Sequence, residues 1–195
     1  MDNFRQNQRR EMTLKEEKAI VLDFLPHGYP FDRRPSHRKT AIVQAIGKNR
    51  FTLLELVPKK GIALSLMQEV YVGEGLRPEI NHIQGRLPIH KLTGTARQEL
   101  EYVVKDIVNN DQVPFVKFFN KAQPLSTRMH QLELLPGLGK KHMWEIIEAR
   151  KEKEFESFAD IKARVKLIPD PQKIIVKRIL SELEGKEKYN LFVDR

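Results

Sequence analysis

Between residues 19 and 89 the apolar positions fall into five short runs separated by turn residues: AIVLDFL (19–25), TAIVQAIG (40–47), FTLLELV (51–57), EVYVG (69–73) and HIQGRLPI (82–89). Runs of this length, rich in Val, Ile, Leu and Phe, predict strands. Gly47-Lys48-Asn49-Arg50 and Pro58-Lys59-Lys60-Gly61 supply turn chemistry between them, and Gly85 inside the fifth run predicts a bulge or a sharp bend. No helix long enough for a βαβ crossover separates the runs. Five such strands predict a small closed barrel of the OB type, with an SH3-like barrel as the alternative.

After Thr95 the period changes. Leu100, Val103, Val104, Ile107 and Val108 recur at helical spacing, and Pro114 breaks the pattern before FVKFF (115–119), which predicts a helix, a break and a shorter helix. Ser126 is then expected to cap a helix carrying Met129 and Leu132 on one face and stopping before Pro136. A further helix is expected from about Lys140 to Arg150, with Met143, Ile146 and Ile147 on its stripe. Ser157 with Asp160 predicts a capping box for a helix turning Phe158, Ile161 and Val165 inward. Asp170 and Pro171 predict the start of a last helix with Ile175, Ile179 and Leu183 on one face. The expected organisation is a flexible tail (1–15), the barrel (16–92), a helical connector (93–122), a second helical domain (123–185) and a tail (186–195).

Charge changes the picture next. The chain has 35 Lys and Arg against 26 Asp and Glu, a net charge of +9, and the excess sits in both expected domains: 12 basic against 8 acidic side chains in residues 16–92, and 12 against 10 in residues 123–185. Such a balance favours a polyanionic partner. The absence of cysteine excludes disulfides, thiolate metal sites and a cysteine nucleophile. The six histidines show no close metal-ligand spacing, and there is no phosphate-loop or nucleophile-elbow motif, so no metal or nucleotide cofactor is expected. With no leader-like start and no run of about 20 apolar residues, a soluble cytoplasmic protein is expected, away from membranes.

The stretch LLPGLGKK (134–141) carries the sharpest chemistry. Gly137 and Gly139 make a corner where a helix starts, and the first N–H groups of a helix have no intrahelical partner while its dipole places partial positive charge there. A phosphate satisfies both. Lys140 and Lys141 add full charges beside it, so the stretch suits a backbone phosphate held without reading a base. Leu135-Pro136-Gly137-Leu138-Gly139-Lys140-Lys141 resembles the hairpin of helix-hairpin-helix proteins. The segment LIPDPQKIIVKRILSEL (167–183) then looks like a second hairpin without its glycines, contributing little to phosphate binding. That resemblance completes the expected α+β fold class: a five-stranded OB-like barrel followed by an all-α tandem helix-hairpin-helix domain. It also implies binding residues Gly137, Leu138, Gly139, Lys140 and Lys141.

Four longer stretches, VLDFLPHGYPFDRRPSHRK (21–39), VQAIGKNRFTLLELVPKKG (43–61), FVKFFNKA (115–122) and TRMHQLELLPGLGKKHMWEIIEARK (127–151), resemble an archaeal family known as domain of unknown function 655. The resemblance implies a nucleic-acid-binding protein with these two modules and supplies no known reaction.

HGYPFDRRPSHRK (27–39), joining the first two strands, sets Tyr29 and Phe31 near Arg33, Arg34, Arg38 and Lys39. Loops in that position line the ligand face of OB barrels, where aromatics stack on bases. The expected function is therefore non-enzymatic binding of DNA or RNA through its backbone. One alternative is an adaptor docking on a ribosomal or RNA polymerase subunit. A further one, from the resemblance of the hairpin to that of base-excision glycosylases, is a lyase using Lys141 as nucleophile with Asp160 assisting.

Overall fold

One shared apolar face builds the first sheet. Strands β1 (Lys18–Leu25), β2 (Ile42–Gly47), β3 (Leu53–Pro58), β4 (Glu69–Tyr71) and β5 (Ile80–Arg86) turn Ala19 and Val21, Val43 and Ala45, and Leu54 and Leu56 to one buried cluster with Leu64, Val70, Val72 and Ile80. The computed structural model describes residues 16–35 and 39–194; the expected N-terminal tail, and Ser36, His37 and Arg38 of the first loop, lie outside the described residues.

All neighbours in this sheet are antiparallel, in the order β4-β1-β2-β3-β5. The expected closed barrel is not what forms. The sheet curls into a half-barrel, with no ladder joining β5 to β4, because β4 is only three residues long and pairs with β1 alone. Three register shifts supply bend, one of them at Asn81, where Val57 faces His82 and Pro58 faces Ile80. Ala45 faces Val21 while Gln44 faces Asp23, and Glu55 faces Gly85 while Leu56 faces Ile83, so Leu22 and Gln84 are the extra residues. The shift at Gln84 is the irregularity anticipated at Gly85.

The β2–β3 turn is built over a buried carboxylate. Glu16 accepts the N–H groups of Asn49 (2.9 Å), Arg50 (2.9 Å) and Thr52 (3.2 Å). A Cβ on Gly47 would lie 2.0 Å from its carboxyl carbon, so the glycine makes room for that side chain. On the opposite side of β2 the buried Gln44 is fully used. Its amide donates to Tyr29 Oη (3.1 Å) and Lys91 O (3.0 Å) and accepts from Thr93 N (2.9 Å).

One compact unit ends at Glu99 and takes back Asp194; the other runs Leu100–Val193. The division falls inside α1 (Gly94–Asn110), which with α2 (Val113–Lys121) realises the expected helix, break and helix. The region beyond α2 departs from an all-helical reading. Pro124–Ser126 (β6) and Met129–His130 (β7) form a small hairpin, followed by one 3₁₀ turn at Gln131–Leu134. No helix is capped by Ser126. Its Oγ accepts from Arg128 N (3.3 Å), while Gln131 exchanges bonds with Gln123 and closes the ladder. Local side-chain bonds outcompete the helix here.

Helices α3 (Lys140–Glu152), α4 (Phe158–Arg164) and α5 (Pro171–Leu183) follow. Met143, Ile146, Phe158, Ile161, Val165, Ile175 and Ile179 are buried as their spacing implied. Residues 187–193 do not trail away from this unit. The buried Glu182 accepts from Arg178 Nε (2.8 Å), Leu191 N (2.8 Å), Phe192 N (2.9 Å) and Val193 N (2.9 Å), and Arg178 reaches Glu187 (2.6 Å) and Tyr189 O. Among the described residues no helix is long and apolar enough to cross a membrane.

Candidate functional site

The turn into α3 is fixed from behind and open in front. Arg178 Nη1 donates to Leu134 O at 2.8 Å, Leu138 N donates to Leu135 O at 3.1 Å, and Leu135 and Leu138 are buried. Leu138 thus offers a ligand only backbone. Gly137 has φ +84°, in the left-handed region that side chains resist, and a Cβ there would stand 3.4 Å from Pro169 Cγ. Gly139 is different. Its backbone is extended (φ −92°, ψ −179°), and a Cβ would meet nothing within 4 Å. Neither conformation nor packing inside the protein calls for a glycine at 139.

Gly139 is also the N-cap of the 13-residue α3, and no side chain caps it. Met143 N is the first to reach back, to Gly139 O at 3.0 Å, which leaves the N–H groups of 140–142 without an intrahelical acceptor. Lys140 and Lys141 are exposed; Lys141 Nζ lies 4.0 Å from Glu145. Of the other helix starts, that of α2 also has no side-chain cap at Gln112, whereas those of α4 and α5 are closed. Ser157 accepts from Asp160 N (3.1 Å) at α4, and Asp170 accepts from Lys173 N (3.1 Å) at α5, which begins with Pro171. His142 Nε2 lies 3.1 Å from Leu167 O, so this ring donates to the loop before α5.

Beside the same helix start, a cleft of about 440 Å³ opens between the β6–β7 hairpin and α3. Met129, Met143, Trp144 and Ile147 form its apolar walls, with Arg128 and Lys140 among its lining. His130, 5% exposed, lies there too. Its Nδ1 accepts from Leu132 N at 3.1 Å and its backbone N–H donates to Glu133 (2.8 Å), a reciprocal cap on the 3₁₀ turn. The hydrogen must therefore sit on Nε2, which is buried without a partner. Burial, reinforced by the Arg150 charge, holds the imidazole below its usual value and keeps it neutral. A second cleft, of about 630 Å³, lies behind the turn, where Arg178, Ser181 and Glu187 already bond one another.

In the first loop the expected cluster is only partly assembled. Tyr29 donates to Glu55 Oε2 (2.5 Å), and burial followed by that bond pushes its hydroxyl up to about 12. Its ring stacks on Phe31, at 4.9 Å and 12°, leaving Phe31 79% exposed. Arg34 is bound to Asp32 (2.7 Å), whose carboxyl it holds below the usual range. Arg33 is exposed and Lys39 half-buried, while Arg38 lies outside the described residues. Among the described residues no three His, Asp or Glu side chains gather as a metal site.

A family model described as "Protein of unknown function (DUF655)" matches residues 15–194, spanning both units and the glycine turn. The chain belongs to the DUF655 family. A relative from Methanocaldococcus jannaschii, itself named only as an uncharacterized protein, is 45% identical over 180 residues, covering 91% of this chain and 80% of that protein. The crystal structure of the DUF655 protein Af1531 from Archaeoglobus fulgidus matches with a TM-score of 0.81 at 48% identity, over 92% of this chain and 100% of that one. Within this DUF655 chain, sequence reasoning passed over Trp144, His130, Arg178 and Glu182. Arg178 and Glu182 did leave a signal, a charged pair at i, i+4 inside the apolar stripe of α5. His130 left none, because its partner groups are backbone atoms.

Proposed function

We propose that this protein is a non-enzymatic nucleic-acid-binding protein that grips the sugar-phosphate backbone at residues 136–141, in the manner of a helix-hairpin-helix turn. The observation that carries the reading is Gly139: a glycine that the fold does not need, at the uncapped start of a 13-residue helix, followed by two exposed lysines. A phosphate oxygen fits the space a side chain would take, accepts from the N–H groups of 140–142 and meets the positive end of the helix dipole. The capped starts of α4 and α5 lack this vacancy, which suits a single dominant grip. On this view the 3₁₀ turn at 131–134 stands in for the first helix of the motif.

The order β4-β1-β2-β3-β5 supports the reading of an OB-like sheet left open between β5 and β4, on which Phe31 with Arg33 and Lys39 would make a second, weaker surface. A lyase is disfavoured. Asp160 is occupied by Glu156 N (3.1 Å) and Arg164 (3.2 Å), and Lys141 sits in solvent facing Glu145.

The test is fluorescence anisotropy with labelled DNA and RNA strands across a salt series, for the wild type and Gly139→Val. The variant should stay folded and lose at least tenfold in affinity, about 1.4 kcal/mol. The wild-type log–log salt slope should be near −3 for about four phosphates on a single strand. A flat salt response, or an unchanged Gly139→Val, removes the turn from the site and favours docking on a protein.

A further inference from the structure

The cleft between the β6–β7 hairpin and α3 has features that a phosphate grip leaves unused. Trp144, the single tryptophan of the chain, is 58% exposed although Met143 and Ile146 beside it are buried. It stands one turn after Lys140, so ring and ammonium share a face of α3. Met129 and Ile147 add apolar wall. Arg128 and Lys140 have no acidic side chain in salt-bridge range among the described residues. The second, independent observation is His130. It lines this cleft, is 95% buried, and its Nε2 donor has no partner, an arrangement that is costly unless something supplies an acceptor.

An exposed aromatic face asks for a flat ring, and a lone buried donor asks for an acceptor on that ring's edge. Two cations beside an uncapped helix start ask for phosphates attached to it. A volume of about 440 Å³ lies within the range of small-ligand sites. An aliphatic side chain from a partner would fill the walls and leave both His130 and the cations unanswered. We infer that the cleft takes one unpaired nucleobase of a bound strand, stacked on Trp144, with an acceptor on its edge bonded by His130 Nε2 and its phosphates against Lys140 and the start of α3. The inference rests on the nucleic-acid reading above and sharpens it. A base paired within a duplex offers neither its face nor its edge in this way, so the ligand is single-stranded or has one base splayed out.

Because Trp144 is the only tryptophan, its fluorescence reports the cleft directly. The full chain is titrated with an end-labelled oligothymidylate and with an abasic strand of equal length, following dye anisotropy for binding and tryptophan emission for stacking. The base-bearing strand should quench Trp144 and the abasic strand should not. Trp144→Ala should weaken the base-bearing strand by roughly five- to a hundredfold, the span of one base–aromatic stack, and leave the abasic strand unchanged. His130→Asn, whose side-chain oxygen can still take the Leu132 N–H but which lacks the Nε2 donor, should weaken the same strand alone. Binding by anisotropy with unaltered emission and an unaffected Trp144→Ala overturns the base slot while leaving the phosphate grip standing. Equal quenching by the abasic strand overturns it as well. If neither strand changes the anisotropy, the grip and the slot fall together.

Discussion

The loops that lead into α3 and α5 do the same job in the chain and are finished in opposite ways. Before α5, Asp170 closes the helix start with its own carboxylate, and Pro171 removes a donor that would need a partner. Before α3, a glycine stands where the cap belongs, the donors stay open, and Lys140 and Lys141 add charge that no cap neutralises. A helix start finished inside the protein adds stability, whereas an unfinished one holds back that free energy for a ligand. Arg178, on α5, ties the two together by holding Leu134 O at the entrance to the open turn.

The largest effect should come from cutting that tie. Glu182→Ala leaves the buried Arg178 with Glu187 as its remaining carboxylate and strips the acceptor from three consecutive N–H groups, so it should cost about 3–5 kcal/mol. Thermal or urea unfolding of the full chain measures it. A loss below about 0.5 kcal/mol, the range of an ordinary surface change, would mean that residues 191–193 are not held through Glu182.

Next come reciprocal edits of the two caps. Gly139→Asp should finish the open helix start and raise stability by only about 0.3 kcal/mol, while placing a carboxylate where phosphate belongs and lowering affinity more than tenfold. Asp170→Ala should do the reverse in kind, costing about 1 kcal/mol of stability with affinity unchanged. Unfolding curves and strand-binding titrations on the same two proteins decide it. If Asp170→Ala weakens binding as much as Gly139→Asp does, the two loops act alike and the comparison fails.

The smallest effect is with pH. His130 is held below its ordinary value of 6.5 by burial and then by Arg150. The unfolded chain therefore binds the extra proton first, and stability that is fully present above pH 6.5 declines as pH falls toward the depressed folded value. His130→Asn should flatten that decline, because the 3₁₀ turn no longer depends on a neutral ring. Melting temperatures across mildly acid buffers would expose it, and an identical slope in the variant would assign the decline to another group.

Much of this could be read along the chain. The five strands, the helix break just ahead of Pro114, the Ser157 and Asp170 caps and the glycine turn all follow from local pattern, because each depends on residues within a turn or two of one another. The expected helix at Ser126 failed because Gln131, His130 and Glu133 offered the backbone better local bonds than a helix would, and their geometry appears only once the β6–β7 hairpin exists. Closure of the barrel failed because the length of β4, not the count of strands, decides whether its outer edge finds a partner.

What the sequence alone determined is where the five strands lie, where α3, α4 and α5 begin, and that Gly137 and Gly139 sit beside two lysines. Tertiary structure decided what each glycine is for. Gly137 is demanded by a left-handed corner under Pro169, a contact made across more than thirty positions of chain, while Gly139 is demanded by nothing inside the molecule. It also decided that Trp144, Arg128 and His130 meet, because a hairpin and a helix far enough apart in sequence to share no periodicity must pack before a cleft exists between them.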